Sequence, residues 1–442
     1  MSALNTDLYE LTMAAGYFVE RKTDEIATFE LSVRRLPEAR NFLVAAGLAQ
    51  AVEYLRELKF QPEEIEYLRG LAQFKQTPPE FFDFLAKLRF TGDLFALPEG
   101  TPVFANEPIA IVRAPLVEAQ LVETYLLSTF MFQTMVASKA ARCVLAAEGR
   151  PIVEFGSRRA HSSGAGVLAG RAAFVGGCSG TSNAEAGMRF DIPVFGTAAH
   201  SWTMAFGDEE RSFRALQKLL GESTVFLIDT YDTIEGAHLA AQMGQPIWGV
   251  RIDSGDLAES ARQVRRILDD AGLREAKIFA TNDLDEYRVA EFVKAGAPLD
   301  AFGVGTQLAV SADAPALSAV YKMVELKRDG GVYYTAKFSS DKITLPGAKQ
   351  VYRCADRDVV AHYSECPDKY LGEPLVRPII AQGELIEALP SLTSIQKRSL
   401  AMIAALPERL QQLERAQPYQ VEMSPHLQAM AQSVREEMQP AK

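Results

Sequence analysis

The feature that most constrains the fold is a rhythm of short apolar runs that begins near residue 151. The runs recur at intervals of roughly 20–30 residues, and most are followed by a helical pattern. They read PIVEFGSRRAH, AAFVGGCSGTSN, IPVFGTAAHSW, TVFLIDTYDT, PIWGVRIDSGDL, KIFATNDLDE and AFGVGTQL. Repeated βα units of this kind predict parallel strands joined by right-handed crossovers. About seven units favour an irregular, TIM-like α/β barrel over an open doubly wound sheet, with functional residues at the carboxyl ends of the strands.

The segments on either side of this region have mixed patterns. Helical runs, the alternating stretch IATFELSVRRLP and a turn-rich β region precede it. Hairpin-like strands in YKMVELKRDGGVYYTAKFSS follow it, and amphipathic helical stretches come last. We therefore predict an N-terminal α+β domain over residues 1–135, the barrel over 136–320, and C-terminal segments over 321–442 that pack back on the N-terminal domain and end in helices.

Composition narrows the function classes. A net charge of −11 argues against nonspecific binding to nucleic acid or membranes. No uncharged apolar stretch reaches the ~18–20 residues of a membrane helix, and MSALNTDLYELTM lacks the pattern of a secretory signal. Four scattered cysteines indicate reduced thiols in a cytoplasmic protein. Zinc bound by Cys354, His362 and Cys366 is an alternative, but their spacing matches no common zinc motif.

His200 is one of five histidines and follows an apolar run and the small residues of GTAA. No HxH or HExxH pattern accompanies it, which argues against a metal ligand. Two interpretations remain open from the residues alone. The ring is either satisfied by backbone groups at the barrel mouth, or it serves in acid–base or nucleophilic catalysis.

Two adjacent arginines, Arg158 and Arg159, follow the strand pattern in EFGSRRAHSS. A planar guanidinium binds a carboxylate or phosphate through two parallel hydrogen bonds. The alternative is a solvated charge pair with Glu154. A position at the end of a barrel strand favours an anion site.

The stretch RIDSGDL combines a basic residue with acids and a hydroxyl between a strand and a helix. Asp253 and Asp256 have the chemistry to bind ribose hydroxyls or magnesium, because carboxylates accept from hydroxyls and coordinate hard cations. The alternative makes one acid a helix N-cap. That alternative does not account for Arg251, Asp253, Ser254 and Asp256 together.

Two weaker motifs lie at other strand ends. Gly303 and Gly305 in FGVGTQL would let backbone N–H groups approach a phosphate, although glycines also serve tight turns. Asp229 and Asp232 in IDTYDT form an acid pair suited to magnesium or to positioning a base.

Together these motifs closely resemble those of nicotinate phosphoribosyltransferases. The matching stretches keep the family order from the first helix to about residue 308, and YLGEPLVRPII continues the likeness. They read NTDLYELTMAAGYF, FELSVRRLP, NFLVAAGL, EGTPVFANEPI, FMFQTMVASKAAR, EFGSRRAH, GTAAHSW, DTYDT, GVRIDSGDL and FGVGTQL.

The resemblance implies a type II phosphoribosyltransferase of pyridine nucleotide salvage. Such enzymes join nicotinate to 5-phosphoribosyl-1-pyrophosphate and give nicotinate mononucleotide and pyrophosphate, with magnesium. Family members couple this transfer to ATP hydrolysis through a phosphohistidine, as a ligase does, and GTAAHSW makes His200 the implied phosphoryl acceptor. A homodimer with shared active sites is also implied.

The resemblance further implies the residues that contact each substrate. Phe155 and Arg158 match positions that hold the pyridine acid, and Tyr9 matches an aromatic that stacks on the pyridine ring in a neighbouring subunit's site. The other implied contacts are Arg159 and Arg251 to anions, Asp253 to the ribose hydroxyls, and Gly303, Gly305 and Thr306 to the 5-phosphate.

The same resemblance implies that Ser182 favours nicotinate over nicotinamide as the substrate. Relatives that use nicotinamide have an aspartate at the corresponding position, and a carboxylate there would repel the carboxylate of nicotinate. The alternatives are a nicotinamide or quinolinate phosphoribosyltransferase and, from a different class, a barrel that binds a phosphorylated ligand without catalysis. A sugar-phosphate aldolase fits less well, because no barrel strand ends in an obvious Schiff-base lysine.

Overall fold

The computed structural model describes residues 2–336, 338–339, 342–370 and 372–438 of the chain. They form two compact units. The first contains the described residues of Met1–Thr134, Ala316–Pro390 and Ala416–Lys442, and the second contains Met135–Pro315 and Ser391–Arg415. Residues Ser391–Arg415, which fall in the predicted C-terminal segments, thus belong to the second unit.

The α-helices are, in chain order, α1 (Leu8–Val19), α2 (Leu48–Glu57), α3 (Pro62–Gly70), α4 (Pro79–Lys87), α5 (Leu116–Leu121), α6 (Glu123–Ala146), α7 (Ser163–Val175), α8 (Ala184–Phe190), α9 (His200–Phe206), α10 (Glu209–Leu220), α11 (Thr233–Met243), α12 (Leu257–Asp270), α13 (Glu286–Lys294), α14 (Thr306–Ala309), α15 (Leu392–Ala404), α16 (Glu408–Gln411) and α17 (Pro425–Met438). Short 3-10 helices cover Ala72–Phe74, Ser157–Arg159, Gly221–Ser223 and Pro367–Lys369. None of the described helices is long and apolar enough to cross a membrane.

The strands are β1 (Ile26–Val33), β2 (Leu43–Val44), β3 (Asp93–Ala96), β4 (Pro102–Val103), β5 (Pro108–Pro115), β6 (Ile152–Glu154), β7 (Gly180–Thr181), β8 (Val225–Leu227), β9 (Gly249–Ile252), β10 (Lys277–Ala280), β11 (Ala301–Val304), β12 (Ala319–Arg328), β13 (Gly331–Tyr334), β14 (Phe338–Ser339), β15 (Lys342–Ile343), β16 (Lys349–Arg353), β17 (Asp358–His362), β18 (Glu373–Pro374), β19 (Arg377–Ala381), β20 (Glu384–Leu385) and β21 (Val421–Met423).

The first unit is built on a seven-stranded sheet in the order β13-β12-β1-β5-β3-β19-β20. The predicted strand in IATFELSVRRLP is β1, which pairs antiparallel with β5 on one side and with β12 on the other. Because both neighbours hydrogen-bond to it, β1 lies inside the sheet, and six of its eight residues are buried. A second sheet, in the order β18-β16-β17-β21, completes the main β-structure of this unit.

The second unit contains a six-stranded sheet in the order β7-β6-β11-β10-β9-β8, and every pairing in it is parallel. A single parallel bridge between Thr181 and Val194 extends the row beyond β7. The βα rhythm therefore predicted the parallel organisation and five of the strands correctly. The apolar part of AAFVGGCSGTSN instead ends α7, with β7 following at Gly180–Thr181, and IPVF contributes only the bridge at Val194. The closed TIM-like barrel is not confirmed, because the pairings among the described residues form a row with two ends. After Val194 the backbone leaves the ladder and leads into α9, so no further rung forms on that side.

Helix α12 shows how the local pattern produces this unit. Its buried residues are Leu257, Ala261, Val264 and Leu268, at the spacing of one helical face. Asp256 caps its first turn with a side-chain oxygen, and the backbone of Gly272 turns away with a φ of 79°.

A buried ionic network fixes the late segment Ser391–Arg415 to the same unit. Glu286 Oε2 forms an ion pair with Lys139 Nζ at 2.5 Å, and Oε1 accepts from Arg142 Nε at 2.8 Å. Arg142 Nη2 also donates to the carbonyl oxygen of Leu413 at 3.1 Å. Because Glu286 is fully buried, the two cations together compensate its charge in the core, and removing one of them would weaken that compensation.

Candidate active site

The carboxyl ends of the parallel strands gather the polar residues of the second unit at one edge of its sheet, as parallel strands require. Each predicted motif follows a strand directly or, for His200, opens the next helix. The segments at this edge are Phe155–Arg159 after β6, Ser182 and Asn183 after β7, Asp229 and Thr230 near the end of β8, Asp253 and Ser254 after β9, Thr281 after β10, and Gly305 and Thr306 after β11.

Arg251 holds three hydroxyl or carboxylate oxygens at this edge. Its Nε donates to Thr281 Oγ1 at 2.8 Å, Nη1 to Thr197 Oγ1 at 2.9 Å, and Nη2 to Asp253 Oδ1 at 2.8 Å. The guanidinium also lies 5.8 Å from the ring centre of Phe155. Arg251 therefore fixes Asp253 as well as offering positive charge to an anion.

Asp253 is held in its charged form. Burial alone would raise the pKa of this carboxyl, but the hydrogen bond from Thr281, the charge and hydrogen bond of Arg251, and the His200 ring together lower the pKa below its ordinary value. Its side chain keeps 29% of its surface exposed. Asp253 is thus an ionised carboxylate that solvent or a ligand can reach.

Both nitrogens of the His200 ring face side chains. Nδ1 lies 3.2 Å from Thr230 Oγ1, and Nε2 lies 3.7 Å from Asp253 Oδ2. Side chains rather than backbone groups therefore orient the ring, which is 37% exposed. The position is compatible with nucleophilic or acid–base chemistry and not with a histidine enclosed in the core.

The two acids of IDTYDT have different environments. Asp229 Oδ2 accepts from the Asp253 backbone N–H at 2.8 Å and from Ser254 Oγ at 2.6 Å. Its Oδ1 is buried and has no hydrogen-bond partner among the described residues. Asp232, in contrast, caps α11 by accepting from two backbone N–H groups, as Asp256 does for α12. The N-cap alternative is thus correct for Asp256, and Asp232 has the same local role.

Arg158 and Arg159 lie in the 3-10 helix after β6 and are exposed. Within the described part of the chain, neither guanidinium makes a hydrogen bond or an ion pair. The alternative of a charge pair with Glu154 is wrong, because Glu154 is fully buried and is bonded elsewhere. Two uncompensated cations beside a strand end are therefore available to an anion.

Glu154 is a site residue that the sequence analysis did not single out. Oε2 accepts from Thr181 Oγ1 at 2.6 Å, and Oε1 accepts from the backbone N–H of Gly156. Burial raises the pKa of this carboxyl, and the two hydrogen bonds oppose that rise. The available signal was an acid ending an apolar strand in PIVEF, where a charged side chain needs a buried partner.

Ser182 is exposed beside this network, and its backbone N–H donates to the Glu154 carbonyl oxygen at 2.9 Å. The next residue, Asn183, accepts from the N–H of Ala186 at 2.9 Å and so caps α8. Its Nδ2 donates to Ser157 Oγ at 3.0 Å. The turn with Ser182 is thus linked to the turn with Arg158.

The two glycines of FGVGTQL lie in different environments. Gly303 is inside β11, where an added Cβ would lie 2.7 Å from Thr281 and 2.9 Å from Phe279, so tight packing explains this glycine. Gly305 follows the strand. The backbone N–H groups of Gly305, Thr306 and Gln307 donate no hydrogen bond to any described residue, whereas those of the next residues do. Three free amides in succession suit an anion.

Tyr9 lies in the first unit, on α1, and is 47% exposed. Partial burial, then the charges of Glu123, Glu10 and Asp7, raise its pKa to about 12. The phenol therefore stays neutral at physiological pH. Its predicted position in a neighbouring subunit's site stays a prediction.

No group of three or more His, Cys, Asp or Glu side chains among the described residues is placed to hold a metal ion. Cys354 Sγ donates to the carbonyl oxygen of Tyr370 at 3.3 Å, and His362 Nδ1 lies 2.7 Å from Ser364 Oγ. Zinc at Cys354, His362 and Cys366 therefore has no structural support.

A parallel α/β unit with an oriented histidine, an ionised aspartate, free arginines and free backbone amides at one sheet edge defines a class of enzyme that binds anionic substrates. Three family models match the chain. They are the nicotinate phosphoribosyltransferase N-terminal domain over residues 4–130, the nicotinate phosphoribosyltransferase family over 151–363, and the C-terminal domain of the same family over 346–431.

Known proteins agree with these models. A nicotinate phosphoribosyltransferase of Mycobacterium tuberculosis, pncB2, is 44% identical over 94% of this chain and 89% of its own. The Bacillus subtilis nicotinate phosphoribosyltransferase is 38% identical over 96% and 93%. The crystal structure of human nicotinic acid phosphoribosyltransferase aligns with a TM-score of 0.82 and 27% identity over 97% of this chain and 99% of that one. The chain belongs to the nicotinate phosphoribosyltransferase family.

Proposed function

We propose that this chain joins nicotinate to 5-phosphoribosyl-1-pyrophosphate, that it releases nicotinate mononucleotide and pyrophosphate, and that it couples the transfer to ATP hydrolysis. The observation that carries the proposal is the contact of one ionised carboxylate, Asp253, with both Arg251 and His200. Family membership supports the two substrates of the transfer. The coupling to ATP rests on the resemblance of GTAAHSW.

The pyridine acid is assigned to the turn after β6. Arg158 is exposed there without a partner among the described side chains, so its guanidinium is free to pair with a carboxylate. Phe155, whose ring centre lies 5.8 Å from the Arg251 guanidinium, offers an aromatic ring in the same segment, and Ser182 adds no negative charge that would repel the acid. Arg159 supplies a second cation for an anionic group.

The ribosyl donor is assigned to the ends of β9 and β11. The C1 carbon of the donor passes through a transition state with positive charge, which the ionised Asp253 would stabilise. Asp253 would also bind the ribose hydroxyls of the donor. The free amides of Gly305 and Thr306 support binding of the 5-phosphate. Nicotinate needs no strong general base, because its pyridine nitrogen is already nucleophilic.

His200 is the proposed phosphoryl acceptor. A ring nitrogen attacks the γ-phosphorus of ATP, the bond to ADP breaks, and water later releases phosphate from the histidine, so the balance is ATP hydrolysis. The Thr230 hydroxyl near Nδ1 and the Asp253 carboxylate near Nε2 support this role, since they orient the ring.

Magnesium is proposed with the donor's pyrophosphate. The buried Oδ1 of Asp229, which lacks a partner among the described residues, is a hard oxygen ligand that fits the ion. Magnesium commonly keeps only one or two protein carboxylates and takes the rest of its ligands from water and phosphate. When bound, it would neutralise charge on the leaving pyrophosphate. The role of Asp232 as an N-cap makes Asp229 the better ligand of the pair.

A cytoplasmic homodimer is also proposed. Helix α1 exposes Leu8, Tyr9 and Met13 by 41%, 47% and 37%, which supports burial against a second copy. Mixing Tyr9→Ala subunits with His200→Ala subunits tests the shared site. We expect the mixture to regain activity that neither variant has under ATP-coupled conditions, and no gain would contradict sharing.

We retain the irregular barrel as a proposal for the second unit. The bridge between Thr181 and Val194 supports it, because it adds a seventh position to the row of parallel strands.

The test is pyrophosphate release in parallel assays with nicotinate, nicotinamide and quinolinate, each with and without ATP. We expect release with nicotinate, stimulated by ATP, and an acid-labile phosphate on His200. The His200→Ala variant should lose the stimulation and keep a slow ATP-independent transfer. Full ATP coupling in that variant would refute the phosphohistidine. Donor binding without pyrophosphate release in the presence of any of the three pyridine compounds would favour a non-catalytic sensor.

A further inference from the structure

Two turns of the proposed pyridine site are joined by a hydrogen bond that does not belong to either strand. The first turn follows β6 and carries Ser157 and Arg158, and the second follows β7 and carries Ser182 and Asn183. Asn183 Nδ2 donates to Ser157 Oγ at 3.0 Å. Sheet pairing already fixes β6 and β7 up to Glu154 and Thr181, so this bond acts where the ladder has ended.

The buried Glu154 accepts hydrogen bonds near both ends of the bond between Asn183 and Ser157. Its two carboxylate oxygens accept from Gly156 N–H and Thr181 Oγ1, and Thr181 Oγ1 in turn accepts from Asn183 N–H at 3.0 Å. Hydrogen bonds to the same carboxylate therefore hold the residues at the start of both turns.

Helix α7 supports the same two turns through two glycines one helical turn apart. A Cβ added to Gly166 would lie 3.4 Å from Ser157, and one added to Gly170 would lie 2.9 Å from Thr181 Oγ1. Ser157 in the first turn and Thr181 at the end of β7 thus pack on one helix face. The hydrogen bond from Asn183 to Ser157 joins the second turn to this packed residue of the first.

We propose that the hydrogen bond from Asn183 to Ser157 determines specificity, because it sets the spacing between the Arg158 turn and the Ser182 turn. The inference rests on the proposed function, in which these two turns flank the pyridine acid. A fixed spacing lets one guanidinium meet the carboxylate, whereas a looser one reduces the advantage of nicotinate over nicotinamide. Asn183 and Ser157 are positioning residues, since they act through Arg158 and Ser182.

The test uses two variants that remove this bond from opposite sides. Asn183→Ser keeps an N-cap oxygen for α8 but is too short to reach Ser157, and Ser157→Ala removes the acceptor. In each we expect the KM for nicotinate to rise roughly three- to tenfold, the range of one lost hydrogen bond. The turnover number and the KM for the ribosyl donor should stay within about twofold, since neither residue contacts the reacting atoms.

The double variant and the substrate ratio decide the outcome. Combining Asn183→Ser with Ser157→Ala should cost no more than one substitution alone, because both remove the same bond. The kcat/KM ratio of nicotinate to nicotinamide should fall at least about threefold in all three variants. Multiplying effects, a loss of kcat at unchanged KM, or an unchanged ratio would overturn the proposal.

Asp208→Ser is the matched control. Asp208 also caps a helix, accepting from the N–H of Arg211 at 3.0 Å, and its side chain makes no other hydrogen bond to a described residue. We expect this exchange to leave both KM and the substrate ratio unchanged. If the wild-type protein itself fails to use nicotinate, the proposed function fails. If it uses nicotinate and the variants match it, only this inference fails.

Discussion

Two arginine–aspartate pairs in this molecule have the same chemistry and opposite surroundings. Arg251 and Asp253 lie at the carboxyl edge of the parallel sheet in the second unit, joined at 2.8 Å. Arg353 and Asp358 face each other across the antiparallel strands β16 and β17 of the first unit, joined at 2.6 Å. The pairs show how exposure and neighbours separate a functional carboxylate from a structural one.

At the sheet edge, the aspartate keeps one carboxylate oxygen accessible. Asp253 Oδ1 is bound by Arg251 and Thr281, while Oδ2 faces His200 at 3.7 Å. With 29% of the side chain exposed, that second oxygen remains available to a substrate hydroxyl.

In the first unit, the aspartate is enclosed. Asp358 has no exposed side-chain surface, receives two donors from Arg353, and accepts from Tyr419 at 3.2 Å. Burial, followed by the charge of Asp358, raises the pKa of the neighbouring Glu107 well above its ordinary value. These contacts satisfy the charge of Asp358 within the protein, so the cluster around Asp358 has a structural role.

The first prediction concerns the edge pair and has the largest expected effect on activity. Asp253→Asn should lower kcat/KM by roughly 10²–10³-fold, because a neutral amide no longer stabilises positive charge on the ribosyl carbon. Initial rates of nicotinate mononucleotide formation measure this. Asp256→Asn is the control, since asparagine is an equally good N-cap, and it should keep near-normal rates. Equal losses in both variants would contradict the special role of Asp253.

For the enclosed pair, the second prediction is a loss of stability with an unchanged KM. Asp358→Asn should lower the free energy of unfolding by about 3–5 kcal/mol, because it leaves the largely buried charge of Arg353 without its ionic partner. The fraction that remains folded should keep the wild-type KM. Urea unfolding measures the loss. Asp356→Asn removes a nearby acid that is 76% exposed and should change the unfolding free energy by less than about 0.5 kcal/mol.

The third prediction uses a carboxylate that has hydroxyl partners. Glu10 accepts from Thr124 Oγ1 at 2.7 Å and from Thr6, and burial raises its pKa from 4.5 to about 7. The folded state therefore keeps a proton that the unfolded chain releases, so this group lowers stability as pH rises from 4.5 to about 7.

Glu10→Gln should remove that dependence. Unfolding free energies measured at pH 5 and pH 8 should diverge between wild type and variant by on the order of 1–2 kcal/mol, with the variant favoured at the higher pH. The opposite sign, or parallel curves, would show that Glu10 is ionised in the folded protein. The same comparison between wild type and Asp253→Asn should show no such divergence between pH 5 and pH 8, because the pKa of the Asp253 carboxyl is lowered.

Much of the site could be predicted because its residues follow strand ends directly. Parallel strands must end at a common edge, so Arg158, His200 and Asp253 could be grouped from the sequence alone. Glu154 was missed because an acid within an apolar run carries no sign of which donors it meets. Its partner Thr181 lies 27 residues away, and the parallel pairing of β6 with β7 sets the two side chains next to each other.

The sequence was less decisive where one residue pattern fits two different structural roles. Asp232 and Asp256 look like ligands in sequence, yet each caps a helix. Gly303 looks like part of a phosphate loop, yet tight packing inside β11 explains it. A short polar residue after a strand satisfies either role, and the position of the next backbone N–H groups decides between them.

By itself, the sequence determined the parallel α/β organisation of the second unit, the family and the edge at which the polar residues meet. Apolar periodicity and turn residues are local properties, and they are sufficient for those conclusions. The tertiary structure alone decided that Thr230 and Asp253 face the two nitrogens of His200, that Arg251 fixes Asp253, and that Asn183 joins two turns. Such contacts depend on angstrom-scale distances between segments far apart in the chain, and no local pattern records them.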